Sequence, residues 1–213
     1  VKILQTVIDN EPLEKVYQGA RLNDLEIPSP FLSGVFDDIL ANNPEYVFNA
    51  TLETNRGCPF QCTFCDWGGL TKSKIKTFNI ETYKKEINWI AKNKIEYIYI
   101  ADANFGALFD RDLEIAKYLA QSTLHQGYPK YINVNWYKNS RQKILEINKV
   151  LSDAGLARGL NMSVQSMNPK TLKAIKLKSI FFFTVSTCNS CFLISMNSET
   201  KRLFSAFVIK TAN

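Results

Sequence analysis

The stretch Glu53-Thr54-Asn55-Arg56-Gly57-Cys58-Pro59-Phe60-Gln61-Cys62-Thr63-Phe64-Cys65 governs how the rest of the chain is read. It holds a C-x3-C-x2-C run, with Gly57 before it and Gly68-Gly69 after it. Three thiolates on a short, glycine-flanked loop can converge on one metal centre. Structural zinc usually takes four ligands from paired knuckles, and no second knuckle with matching flanks stands nearby. An ordinary iron–sulfur cluster takes four cysteines. Three would leave one iron of a 4Fe–4S cluster without a protein ligand. Catalytic centres keep such an open position, and structural centres close it.

Working outward, Val47–Glu53 reads as a β-strand leading directly into the cysteine loop. Beyond the loop, Ile80 to Lys92 sets Ile80, Tyr83, Ile87 and Ile90 on one helical face behind an Asn79 N-cap. Tyr97–Ala101 is a buried strand ending in Asp-Ala-Asn-Phe-Gly. A helix follows from an Asp110 cap to about Leu124, with Asp112 and Glu114 in its first turn. Tyr131–Trp136 is a third strand, and Ser140–Ala154 a third helix stopped by Gly155. Gly159–Gln165 is a fourth strand, and Asn168-Pro169 opens a short helix with proline at its first position. Four β/α units in a row predict a parallel sheet with right-handed crossovers, open or curled toward a barrel. Ligands of such sheets sit at the C-terminal strand ends, where the cysteine loop lies.

The flanks break this rhythm. Residues 1–46 hold a β-like stretch, Val1–Ile8, and a stiff Ile27-Pro28-Ser29-Pro30 connector, and read as a linker from an upstream unit. Residues 47–178 form the core. Residues 179–198 carry no charge, and 179–213 contain no Gly, no Pro and one acid, which marks them as an anomalous C-terminal tail. Nine of those 20 uncharged residues are Ser, Thr or Asn, which argues against a membrane span.

Composition sets the class. With 46% apolar and 22% charged residues, the chain is neither disordered nor collagen-like. The net charge of +6 is modest, and Lys72, Lys74, Lys76, Lys84 and Lys85 read as a solvated face, so nucleic acid is not an expected partner. Five cysteines is an odd number, and the clustering of three points to a metal or cofactor site in a reducing, cytoplasmic compartment. The chain opens at Val1 without a secretory signal, as a piece of a longer protein or a processed product would.

In its spacing, its place after the first strand and the aromatic Phe64 before its last cysteine, the run resembles the cluster loop of radical S-adenosylmethionine (SAM) enzymes. The context resembles the branch in which a cobalamin-binding domain precedes the radical SAM core. The cues are Ile27-Pro28-Ser29-Pro30-Phe31-Leu32, Asp66-Trp67-Gly68, Asp102-Ala103-Asn104-Phe105-Gly106 and Ser163-Val164-Gln165-Ser166. The resemblance extends over residues 25–178.

The resemblance implies an α/β fold, a partial TIM-like (β/α) barrel with four recognisable β/α units and an irregular tail. It implies that Cys58, Cys62 and Cys65 ligate three irons of a 4Fe–4S cluster while the fourth chelates SAM. Reductive cleavage of SAM would give methionine and a 5′-deoxyadenosyl radical, for hydrogen abstraction or cobalamin-dependent methyl transfer. By the same resemblance Phe64 lies near the adenine, and Asp102 and Asn104 near the SAM amino group, although the family's paired glycines are absent there. Asn135 and Ser163 or Gln165 take the ribose and carboxylate. The implied partners are an unidentified substrate, a reductant such as flavodoxin or ferredoxin, and cobalamin through a domain upstream; no membrane is involved.

Each assignment has a plainer rival. The cysteines could serve zinc or redox chemistry, and Asp102 and Asn104 could cap a turn. Asn135, Ser163 and Gln165 could be ordinary polar positions, Trp67 and Trp136 packing residues, and His125 a solvated helix-end group. Cys188 and Cys191 stand alone in the tail. From another class comes a truncated, non-catalytic remnant that binds iron or zinc through the same cysteines. An incomplete parallel sheet would also leave an exposed edge.

Overall fold

Residues 2–16, 25–65, 74–137, 141–160, 166 and 168–176 are described by the computed structural model. Among them run strands β1 (Asn49–Leu52), β2 (Asn55–Arg56), β3 (Lys76–Thr77), β4 (Tyr97–Phe105) and β5 (Tyr131–Trp136). The helices are α1 (Lys2–Ile8), α2 (Asp37–Asn42), α3 (Ile80–Lys92), α4 (Phe109–Gln126), α5 (Arg141–Asp153) and α6 (Pro169–Ala174).

Strand alternation builds the core. The central strand β4 pairs in parallel with β1 on one side and β5 on the other, Leu52 opposite Ile100 and Ile100 opposite Val134. Ala50, Leu52, Ile98, Ile100, Val134 and Trp136 point to one face and are buried. They share a cluster with Tyr83, Ile87 and Ile90 of α3, Ile115 and Leu119 of α4, and Ile144, Ile147 and Leu151 of α5. All three helices therefore cover the same side of the sheet, as successive right-handed crossovers between neighbouring parallel strands require. Each fully buried aliphatic side chain contributes about 1.5–3 kcal/mol. On the other face Asn49, Thr51, Asn133 and Asn135 are exposed.

Local chemistry explains the elements. Asn79 caps α3 by accepting the Glu81 N–H at 2.8 Å, and Lys84 ties Glu81 (2.9 Å) to Glu114 on α4 (2.8 Å). Phe31 and Phe36 of the lead-in pack against Trp89 of α3, and Phe48 joins the same core. Gly155, at φ +76°, ends the turn after α5. No helix among the described residues is long and apolar enough to cross a membrane.

Four expectations need correction. Val1–Ile8 is not β-like: residues 2–8 form α1. Its Val, Ile and Thr content favours a strand, but with no strand beside it among the described residues the backbone satisfies itself locally, as in the Asp9 N–H to Gln5 carbonyl bond. β4 does not stop at Ala101 but runs to Phe105, with a register shift against β5 between Ile100 and Phe105. Asp110 does not cap α4; the N-cap is Leu108, and Asp112 Oδ2 accepts the N–H groups of Gly106 (2.7 Å) and Leu108 (3.1 Å) instead. Gly159 and Leu160 are not in a strand, while residues 161–165 of that expected strand, together with Trp67, Cys188, Cys191 and the tail, lie outside the described residues.

Candidate functional site

The inward face of β4 changes character along its length. Ile98 and Ile100 lie in the core; two and four residues further on, still inward and still buried, come Asp102 and Asn104. Period-two geometry thus sets two polar side chains where the aliphatic core ends. Both grip the arm that carries the cysteines.

Asp102 holds the start of that arm. Its Oδ1 accepts the backbone N–H of Thr54 at 2.6 Å and of Asn55 at 3.1 Å. Its Oδ2 accepts the Asn55 side-chain amide at 2.6 Å and the Thr54 hydroxyl. Arg111, from α4, adds bonds to Thr54 Oγ1 (2.9 Å), the Thr54 carbonyl (2.9 Å) and the Phe78 carbonyl (3.1 Å). Asn55 and Arg56 pair antiparallel with Thr77 and Lys76, which closes the far side of the arm.

Burial dominates the electrostatics of this cluster. It pushes the Asp102 carboxyl up, while the bonds from Thr54 and Asn55 and the Arg111 charge pull it back. Burial also pushes Asp112 up to about 6, against the Gly106 and Leu108 amides. The Tyr83 phenol is raised well above its ordinary value, first by burial and then by the Asp102 charge.

The loop itself is tied down at three further points. Cys58 Sγ accepts the Asn104 side-chain N–H at 3.3 Å. The Phe60 ring stacks on Tyr137, just past the end of β5, with centroids 5.5 Å apart. The Thr63 N–H donates to the Ile175 carbonyl at 3.4 Å. Ile175 is the C-cap of α6, whose N-cap Asn168 accepts the N–H groups of Lys170 and Thr171. Within the loop, the Cys65 N–H reaches the Cys62 carbonyl at 3.2 Å, turning the chain between those two cysteines. The loop therefore sits where β4 and β5 finish, as expected of a ligand site on a parallel sheet.

All three cysteines are half-buried thiols outside any disulfide. Among the described residues, no three His, Cys, Asp or Glu side chains are gathered to hold a metal ion. A cluster takes each thiolate on a different iron. Three thiols on a loop tethered to the strand ends are the donor type that such a cluster takes, one short of the four that would close it.

The expected site residues divide by face. Phe64 is 57% exposed beside Cys65. Asn135 lies on the open face of the sheet, where it donates to the Tyr99 hydroxyl (2.8 Å) and the Asp102 carbonyl (3.3 Å). Asp102 departs from expectation: its carboxylate is fully enclosed and committed to Thr54 and Asn55, because the parity of β4 turns it toward the helices. Asn104 is likewise enclosed and meets Cys58. Ser163 and Gln165 lie outside the described residues. His125 is exposed near the end of α4, and Trp136 packs edge-on against Phe105.

Thr54, Asn55, Phe60, Arg111 and Tyr137 were not expected in the site. Parity could have flagged Asp102, which stands two residues past Ile100 in an inward series. Nothing in the helical pattern marks Arg111, whose partners are backbone carbonyls and a hydroxyl far away in sequence.

The family model described as the radical SAM superfamily matches residues 52–187. Over 158 residues the chain is 45% identical to the 2-(S-pantetheinyl)-carbapenam-3-carboxylate methyltransferase of Streptantibioticus cattleyicolor, covering 73% of this chain and 23% of that protein. It is 43% identical, with the same coverage, to the cobalamin-dependent radical SAM methyltransferase TokK of Streptomyces tokunonensis. The chain thus spans about a quarter of the length of these relatives. Among solved structures, the radical SAM methyltransferase TsrM from Kitasatospora setae, with cobalamin and a 4Fe–4S cluster bound, superposes with a TM-score of 0.53 at 18% identity. That match covers 63% of this chain and 24% of TsrM, and speaks for the fold alone. A family match that takes in the tethered cysteine loop and more than half of the sequence establishes that the chain belongs to the radical SAM superfamily.

Proposed function

We propose that this chain is part of a cobalamin-dependent radical SAM methyltransferase acting in the cytoplasm. Residues 1–46 lead in from an upstream cobalamin-binding domain, 47–178 form a partial (β/α) barrel, and 179–213 are an irregular tail. The names of the two curated relatives support methyl transfer, and one of them supports cobalamin dependence. The observation that carries the proposal is the cysteine loop tied to the ends of β4 and β5 through Asn104 and through Phe60 on Tyr137.

Cys58, Cys62 and Cys65 would hold the cluster. The chemistry such a cluster supplies when bound is one-electron cleavage of the SAM sulfonium to methionine and a 5′-deoxyadenosyl radical. Around it, Asp102 and Arg111 fix the entry to the loop, and Asn104 orients Cys58. The Thr63–Ile175 bond steadies the turn that carries Cys62 and Cys65. Phe64 presents an exposed ring for the adenine of SAM. Asn135, with Tyr99 beside it, offers polar groups on the open face for the SAM ribose and carboxylate; Ser163 or Gln165, outside the described residues, is the further candidate for these contacts. The aliphatic layer behind the strands keeps water from the helix side. A flavodoxin- or ferredoxin-type donor brings the electron, and the substrate is selected outside the described residues.

Anaerobic reconstitution with iron and sulfide tests this directly. The expected result is a broad visible absorbance that changes on SAM addition, with dithionite-driven release of methionine and 5′-deoxyadenosine. Stoichiometric zinc without that absorbance would instead identify a zinc module or a non-catalytic remnant.

A further inference from the structure

Asn104 is 3% exposed, and its side-chain amide nitrogen lies 3.3 Å from Cys58 Sγ. The inward series of β4 opens with the aliphatic Ile98 and Ile100 and turns polar at Asp102 and Asn104, where the two side chains meet the cysteine arm rather than the core. A buried N–H is costly without a partner, and the bond found for this one is to sulfur. Its position is firmly held. The Asn104 carbonyl accepts the Ala107 N–H at 3.1 Å across a turn at Gly106, and the Gly106 N–H is anchored on Asp112 at 2.7 Å.

We infer that Asn104 is a positioning residue that sets the reduction potential of a cluster bound through Cys58, by donating its N–H to the thiolate sulfur. The inference rests on the function proposed above. One electron passes from a low-potential one-electron donor to the cluster; the donor is oxidised by one electron, and no bond forms or breaks. The added negative charge spreads onto the sulfurs. An N–H aimed at one of them stabilises the reduced state more than the oxidised state, and so raises the potential. Enclosure of the amide strengthens the effect, because water does not compete for its N–H. A neutral amide achieves this without adding charge. Asp102, two residues back on the same face, is already engaged by Thr54 and Asn55.

The test is a redox titration of the full, anaerobically reconstituted chain, monitored by electron paramagnetic resonance. It compares the native chain with Asn104→Leu and Asn104→Met, two differently shaped side chains that lack the donor, and with Asn104→Gln, which keeps it. Each donor-less variant should shift the reduced-to-oxidised ratio about tenfold toward oxidised at fixed poise, or about 59 mV for one electron. Asn104→Gln should recover part of that shift, at unchanged iron and sulfide content. A loaded donor-less variant with the native midpoint and line shape overturns the inference. So does failure of both donor-less variants to load while Asn104→Gln loads, because the amide would then build the loop rather than tune the cluster. A native chain that takes up no cluster overturns the proposed function and this inference together, whereas a loaded native chain with unshifted variants overturns this inference alone.

Discussion

The Asp102 carboxylate receives the backbone N–H of Thr54 at 2.6 Å across 48 residues of sequence, so the middle strand of the sheet fastens the first residue of the cysteine arm. Replacing that carboxylate should be costly. Asp102→Ala leaves the Thr54 and Asn55 donors enclosed without an acceptor, and should lower stability by about 3–5 kcal/mol. Urea denaturation measures it; a loss under about 1 kcal/mol would show that these bonds add little net stability.

Asp112 gives the fold a defined acid response. Its folded pKa, about 6, lies above the ordinary 3.8 because burial penalises the charge. The native state therefore binds the proton more tightly than the unfolded chain. Stability from this group is fully present below about pH 4 and is lost as pH rises through about 6, by roughly 3 kcal/mol. Asp112→Asn retains an acceptor for the Gly106 and Leu108 amides and cannot ionise. The variant-minus-native difference in unfolding free energy should therefore grow between pH 4 and 6.5 and level off above; a flat difference would contradict the assignment.

Asn168 should act on the cysteine loop from a distance. Asn168→Ala removes the cap of α6 at a cost of about 1 kcal/mol. Because the Thr63 N–H bonds to the carbonyl of the α6 C-cap, hydrogen exchange at Thr63 should quicken along with exchange in α6. Exchange at Ile98 and Ile100, in the middle of the sheet, should stay as it was.

Gly106 sits at φ +95°, and a Cβ there would stand 3.5 Å from Ile144 Cγ1, an ordinary contact. Gly106→Ala should thus cost only backbone strain, about 1–2 kcal/mol, rather than a clash. Thermal unfolding would register a larger loss if the turn also failed to hold Asn104.

The parts of this fold that sequence announces are those that obey a local period. Tyr83, Ile87 and Ile90 repeat at helical spacing and are buried together, and Asn79 and Asn168 cap the helices expected of them. The cysteine spacing is likewise local, and it carries the family. What escapes is non-local. Arg111 reads as a helix-surface charge until α4 packs beside the arm and its guanidinium meets the Thr54 and Phe78 carbonyls. Asp102 reads as a strand-end ligand until the continuation of β4 beyond Ala101 fixes its parity and turns it inward. Residues 2–8 carry strand-forming side chains, yet whether they pair depends on a neighbour that no local pattern reveals.

One continuous strand runs from the oily interior to the sulfur anchor. Whatever docks on the native loop and not on the unfolded chain should, by mass action, deepen the whole energy well, by about 2.7 kcal/mol at a hundredfold excess over its dissociation constant. A simple melting curve then becomes a binding assay, one that needs neither turnover nor a known substrate.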